Sequence, residues 1–247
     1  MSVLSSNLDG LSKHLIGSFY QVVRAGKQWK PVDDGIVVKA AITEAEMELA
    51  LTWTGAFEDS DTDSQFPTTA AALQSGYPQQ LIRALGADES SLGQGASNLA
   101  GRFVGRTGIT KLNSTQVFTG MPPVRITATL VLRAWSDPVN EVEKLFDQLV
   151  SWSLPPTLSD DGSVIARAAK SSQSVVDALM PSIAPVQVAM VYKGRRYSPL
   201  VIESVGVPLG APVDSNGNYV QMVIPVTLAT LTAIDRDDWA NVKKFSF

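Results

Sequence analysis

The sequence predicts an α+β fold that is mainly β, and three observations carry that prediction. Two long stretches, Val124 to Arg133 and Val220 to Ala229, alternate apolar and polar residues with the period of a half-buried strand. Between them, a segment that opens at Asp137-Pro138 and stops at Pro155-Pro156 has the signature of one amphipathic helix. The composition, with 18 Gly and 14 Pro, supplies turns for many short connections.

A chain of 247 residues buries a substantial core as one large domain or as two smaller ones of about 100–150 residues. At 45% hydrophobic and 18% charged it is a folding composition, far from that of a disordered chain. Twenty basic against 24 acidic residues give a net charge of −4, the wrong sign for a protein that neutralises phosphates along nucleic acid. There is no cysteine, which excludes disulfides, a thiol nucleophile and thiolate metal sites together. The opening residues Met1 to Gly10 lack the basic and apolar regions of a signal peptide, and no run approaches the ~20 apolar residues that span a bilayer. A protein neither exported by that route nor embedded in a membrane is expected.

Along the chain, residues 1–35 read as an N-terminal arm, with a loosely apolar stretch from Leu11 to Val23 broken by Gly17. Ile36 to Ile42 and Glu46 to Thr54 read as two strands. In the second, Met47, Leu49, Leu51 and Trp53 form the buried face and Glu46, Glu48, Thr52 and Thr54 take the wet one. Thr68 to Gly86 suits short helices, and Ala87 to Pro123 is a long Gly-, Ser- and Asn-rich connection of the kind that is functional or mobile.

The clearest unit starts at Val124, where Ile126, Ala128, Leu130 and Leu132 alternate with Arg125, Thr127, Thr129 and Arg133. In the helix that follows, Asp137 is placed to cap the orphan amides, and Glu141 and Glu143 favour its positive end. Val139, Val142, Leu145, Phe146, Leu149 and Trp152 share one face, which is expected to pack on the sheet. Residues 157–185 read as an insertion holding a short helix around Ser174 to Met180. Val186 to Tyr192 and Arg196 to Val205 form a hairpin turning at Lys193-Gly194. In the last strand Pro225 cannot donate to a ladder, so an edge or a bulge is expected there.

Chemistry is sparse. His14 is the only histidine and sits in the weakly patterned arm, so it reads as a surface residue and no Ser-His-acid triad is available. Asp59-Ser-Asp-Thr-Asp-Ser64 resembles the start of a calcium loop, but Ser64 stands where glycine is needed and Ala70 where a bidentate glutamate is needed. Gly93-Gln-Gly95 has Asn98 in place of the third glycine of a dinucleotide fingerprint. No catalytic, cofactor-binding or metal residues are assigned, and no cofactor is expected. The hairpin tip is basic: Lys193, Arg195 and Arg196, beside Tyr192 and Tyr197, read as a solvated turn or a protein contact.

The order Thr119-Gly-Met-Pro-Pro123, a long alternating strand, the Trp135-Ser-Asp-Pro138 junction, a capped helix ending at Trp152-Ser-Leu-Pro-Pro156, a hairpin and a long final strand resembles the tube proteins of contractile phage tails and related injection machines. It looks most like the baseplate proteins that initiate or adapt the tube. The resemblance covers roughly Val124 to Thr232, with Ile36 to Thr54 as a contribution to the same sheet, and it rests on element order and junction residues. It implies two packed antiparallel sheets forming a β-sandwich or barrel-like tube module with a flanking helix. It also implies that residues 36–247 form one such domain, with insertions at 87–123 and 157–185. The implied partners are copies of the chain in a six-membered ring, tail tube and baseplate proteins, and DNA passing through the lumen without sequence-specific binding. The implied location is the virion, after assembly in the host cytoplasm. Glu46, Glu48, Thr52, Thr54, Thr127 and Thr129 are then the candidate lumen-facing residues, an acidic or neutral wall along which phosphates slide.

A rival reading is a carbohydrate- or protein-binding β-sandwich with its site in the loop from Ala87 to Pro123. An enzyme ranks third, because no carboxylate pair stands out from the surface acids.

Overall fold

The structure, a computed structural model, describes residues 1–54, 116–158 and 182–242. The chain divides into two compact units, Met1–Ala50 with Pro122–Phe247 and Leu51–Met121. In chain order the strands are β1 (Ser2–Ser5), β2 (Ile16–Ala25), β3 (Gln28–Pro31), β4 (Ile36–Glu48), β5 (Thr52–Thr54), β6 (Val117–Gly120), β7 (Arg125–Arg133), β8 (Gln187–Tyr192), β9 (Arg195–Val205) and β10 (Gln221–Thr230). The α-helices are α1 (Lys144–Ser153) and α2 (Arg236–Val242). The protein is α+β and mainly β.

The larger unit is built on one eight-stranded sheet in the order β1-β4-β7-β10-β9-β8-β2-β3, with a further pairing of β4 on β2. That last pairing joins β4, β7, β10, β9, β8 and β2 into a closed ring of six strands, every neighbour antiparallel. Where two packed sheets are implied by the resemblance, a single sheet instead curls onto itself in the barrel-like form. Closure leaves the six strands no free edge along their paired lengths. β1 lies parallel beside the first half of β4, from Ser2 opposite Ile36 to Ser5 opposite Lys39, and β3 pairs the end of β2.

Alternation drives the packing. Ile126, Ala128, Leu130 and Leu132 of β7 and Met222, Ile224, Val226 and Leu228 of β10 are buried, and they join Val38, Ala40 and Ile42, Val188 and Met190, Phe19 and Leu200 in one interior cluster. Val142, Leu145, Leu149 and Trp152 complete it. α1 touches β9 and also β4, which face each other across the ring. The helix therefore closes the barrel interior with its apolar face, and the interior is a packed core rather than a pore. Val139, at 37% exposure, falls off that face, because residues 139–143 form a π-helical turn that shifts the register before α1 begins.

The helix start is held as its residues predict. Asp137 accepts from the Asn140 amide at 3.1 Å, the carboxylate of Glu141 accepts from the Trp135 amide, and that of Glu143 accepts from the Tyr219 amide at 3.0 Å. The two glutamates thus tie the helix to the end of β7 and the entry to β10.

Several expectations are corrected. Residues 1–35 are not an arm but contain β1, β2 and β3, with one short 3-10 turn at Lys13–Leu15. β2 hides from a period-2 search because both its faces are covered: Phe19 points into the barrel, while Tyr20 and Val22 are buried outside it with Ala189 and Val191. Ile36 to Ile42 and Glu46 to Thr54 are not separate strands. β4 is continuous to Glu48, and an extra residue at Thr43, between Ile42 opposite Leu130 and Glu44 opposite Thr129, switches the inward parity from even to odd. The strand breaks after Glu48. Thr52–Thr54 belongs to β5, which pairs with β6 in the smaller unit, so Leu49, Leu51 and Trp53 stay about half exposed. In that ribbon Trp53 and Phe118 meet edge to face at 5.3 Å.

Pro225 is not on an edge, since β10 lies between β7 and β9. It sits beyond the last paired residue of β9, where the Gly206 amide donates to the Pro225 carbonyl at 2.7 Å. Gly206 is required there, because a β-carbon would stand 2.5 Å from the Pro225 ring. No bulge falls at Pro225 either: the register to β9 shifts between Thr227 and Leu228, where Glu203 of β9 is the extra residue. The expected helices at 68–86 and 174–180, the Asp59 loop, Gly93-Gln-Gly95 and most of the 87–123 loop lie outside the described residues.

Candidate functional site

Two surfaces of the larger unit concentrate the singled-out side chains. The first is the outward wall of β4, β7 and β10. The parity switch at Thr43 turns Glu44, Glu46 and Glu48 outward, and the ladder sets Glu46 opposite Thr127, Glu44 opposite Thr129 and Glu48 opposite Arg125. Thr127 is in turn opposite Thr227 of β10. Of the six candidate lumen residues, Glu46, Glu48, Thr127 and Thr129 therefore share one wall, whereas Thr52 and Thr54 lie on β5 in the other unit. Among the described residues, neither Glu46 nor Glu48 has a basic group within 4.0 Å. The ion pair on this side joins Arg125 to Glu203, the extra residue of the β9 bulge, at 3.0 Å.

The second surface lies around the β8–β9 hairpin. Lys193 and Gly194 both have positive φ, 50° and 72°, which gives the two-residue turn whose twist matches the strands. The three cations of its tip diverge. The Lys193 ammonium lies 5.1 Å from the Tyr192 ring centre, and Arg195 stacks over Trp239 of α2 at 5.8 Å. Arg196 folds back over Tyr20 at 5.9 Å and donates to the Trp29 carbonyl at 3.1 Å. Burial pushes the Tyr20 phenol up, a shift that Arg196 partly offsets.

Below this hairpin a cleft of about 490 Å³ opens between β3, residues 196–199 of β9, the end of β10 and α2. Trp29, Tyr197 and Trp239 supply aromatic faces, and Asp238, Asn241 and Arg196 supply polar groups. β9 bulges here, since Val188 pairs with Leu200 but Met190 pairs with Tyr197. The bulge carries Ser198, whose buried hydroxyl has no hydrogen-bond partner among the described residues.

Sequence reasoning missed this cleft. Two of its walls come from the segment assigned to an arm and from the stretch after the last strand, over 200 positions apart, and only the clustering of Trp29 and Trp239 with short polar residues could have flagged them. Among the described residues no group of three His, Asp or Glu side chains is placed to hold a metal ion, and no helix is long and apolar enough to cross a membrane. No protein-family model matches the chain, and no curated protein matches it at a significant level.

Proposed function

We propose that this chain is a structural, non-catalytic ring component of a contractile phage tail, a baseplate or tail-tube protein that initiates or adapts the tube. Its partners in this reading are copies of itself in a six-membered ring and the adjoining tube and baseplate proteins, in the virion. The observation that carries the reading is the polar wall of β4, β7 and β10. Glu46 and Glu48 project beside Thr127 and Thr129, while their apolar neighbours fill the barrel. Because that interior is packed, a DNA path must run outside the single barrel, along a surface shared by several copies. A wall of carboxylates and threonines suits it, since like charge keeps phosphates from adhering.

The test is electron microscopy and mass measurement of the purified full chain, alone and mixed with the products of neighbouring genes. Rings with an open centre are the expected result. A chain that stays monomeric across concentrations and associates with no tail protein overturns the proposal.

A further inference from the structure

We infer that the cleft between β3, the β9 bulge and α2 is a binding site for a neutral saccharide of one or two sugar units. The inference stands independently of the ring-component reading. At about 490 Å³ the cleft falls within the roughly 300–1,000 Å³ of small-ligand sites, far more than a water or ion needs.

Its lining has the two chemistries that a sugar presents. Trp29, Tyr197 and Trp239 offer flat apolar surfaces for the C–H faces of a pyranose ring, and Asp238 and Asn241 offer a planar acceptor and a mixed donor-acceptor for its hydroxyls. Arg196 and Asp238 bring one charge of each sign, which leaves no net charge to select an anion or a cation. Ser198 lies in the wall of the cleft with its hydroxyl buried away from the open space, and among the described residues that hydroxyl has no hydrogen-bond partner. It is carried by a strand bulge, a device that re-aims side chains at binding sites.

The space under α2 persists because the helix holds its own shape. Asp235 accepts from the amides of Asp237 and Asp238 at 2.9 and 2.8 Å, and no α2 residue is buried. The helix is held by its cap and by the Arg195–Trp239 stack.

The full chain, titrated with maltose, lactose, cellobiose and diacetylchitobiose and read by saturation-transfer NMR, tests this directly. At least one of the four is expected to bind with a Kd of about 1 mM or tighter, and Trp239→Ala and Asn241→Ala should each weaken it about tenfold or more. Asn241 is exposed on α2, so Asn241→Ala should keep the parent unfolding temperature, whereas Trp239→Ala also loses the Arg195 stack and is read beside its own unfolding curve. No binding by any of the four at about 10 mM overturns the inference. So does binding that survives both substitutions, or a preference for glucose 6-phosphate over the neutral sugars.

Discussion

Ser6 shows how a single hydroxyl replaces a strand. β1 ends at Ser5, and beyond it the Ser6 Oγ donates to the Arg133 carbonyl at 2.9 Å and accepts from the Arg133 amide at 2.7 Å. The Asn7 amide also donates to that carbonyl, so Ser6→Ala orphans mainly the Arg133 N–H. A loss of about 1–3 kcal/mol is expected in urea unfolding, and an unchanged midpoint would show that water takes over the role. Asp137 makes a pH-dependent contribution. Hydrogen bonds from the Asn140 side chain and amide hold its carboxyl below the ordinary value of 3.8. A depressed carboxyl contributes stability that is present above the unfolded value and lost as pH falls through the lower folded one. Asp137→Ala should therefore lower the unfolding temperature at neutral pH, and its difference from the parent should shrink in acid below 3.8. A constant difference across that window would remove the capping account.

At the scale of elements, α1 is where packing can be separated from pattern. Leu149 is buried in the barrel interior, whereas Val139 is 37% exposed on the π-helical turn. Leu149→Ala is expected to cost about 2–5 kcal/mol through the cavity it leaves, and Val139→Ala to stay within about 0.5 kcal/mol. Comparable losses at the two positions would mean that Val139 packs on the same buried face as Leu149, as the sequence pattern alone suggests. The strands carry a parallel lesson. β7 and β10 keep one parity throughout, so their faces are legible from the sequence. β4 and β9 change parity at bulges, and there a simple alternation search splits a strand or assigns the wrong face.

For the whole molecule, the closed ring of strands leaves β1 and β3 as the outermost members of the sheet. β1 covers the part of β4, residues 36–39, that β7 does not reach. Removing residues 2–6 should expose that edge and promote strand pairing between copies, seen as increased light scattering and a smaller soluble fraction; a truncated chain as soluble as the parent would show the edge protected by other means. The sequence alone determined the mainly β class, the strands β7 and β10, the hairpin turn at Lys193-Gly194 and the capped helix, because each depends on neighbours within one period or one turn. It also placed Glu46 and Thr127 on wet faces, though not beside each other. Tertiary structure decided the rest. Strand β2 is buried on both sides and so carries no alternation, and closure of the barrel depends on β2 meeting β4. The cleft exists only because Trp29 and Trp239 are brought to the same bulge in β9. Pairings between segments so far apart leave no local period, so only the folded chain reveals them.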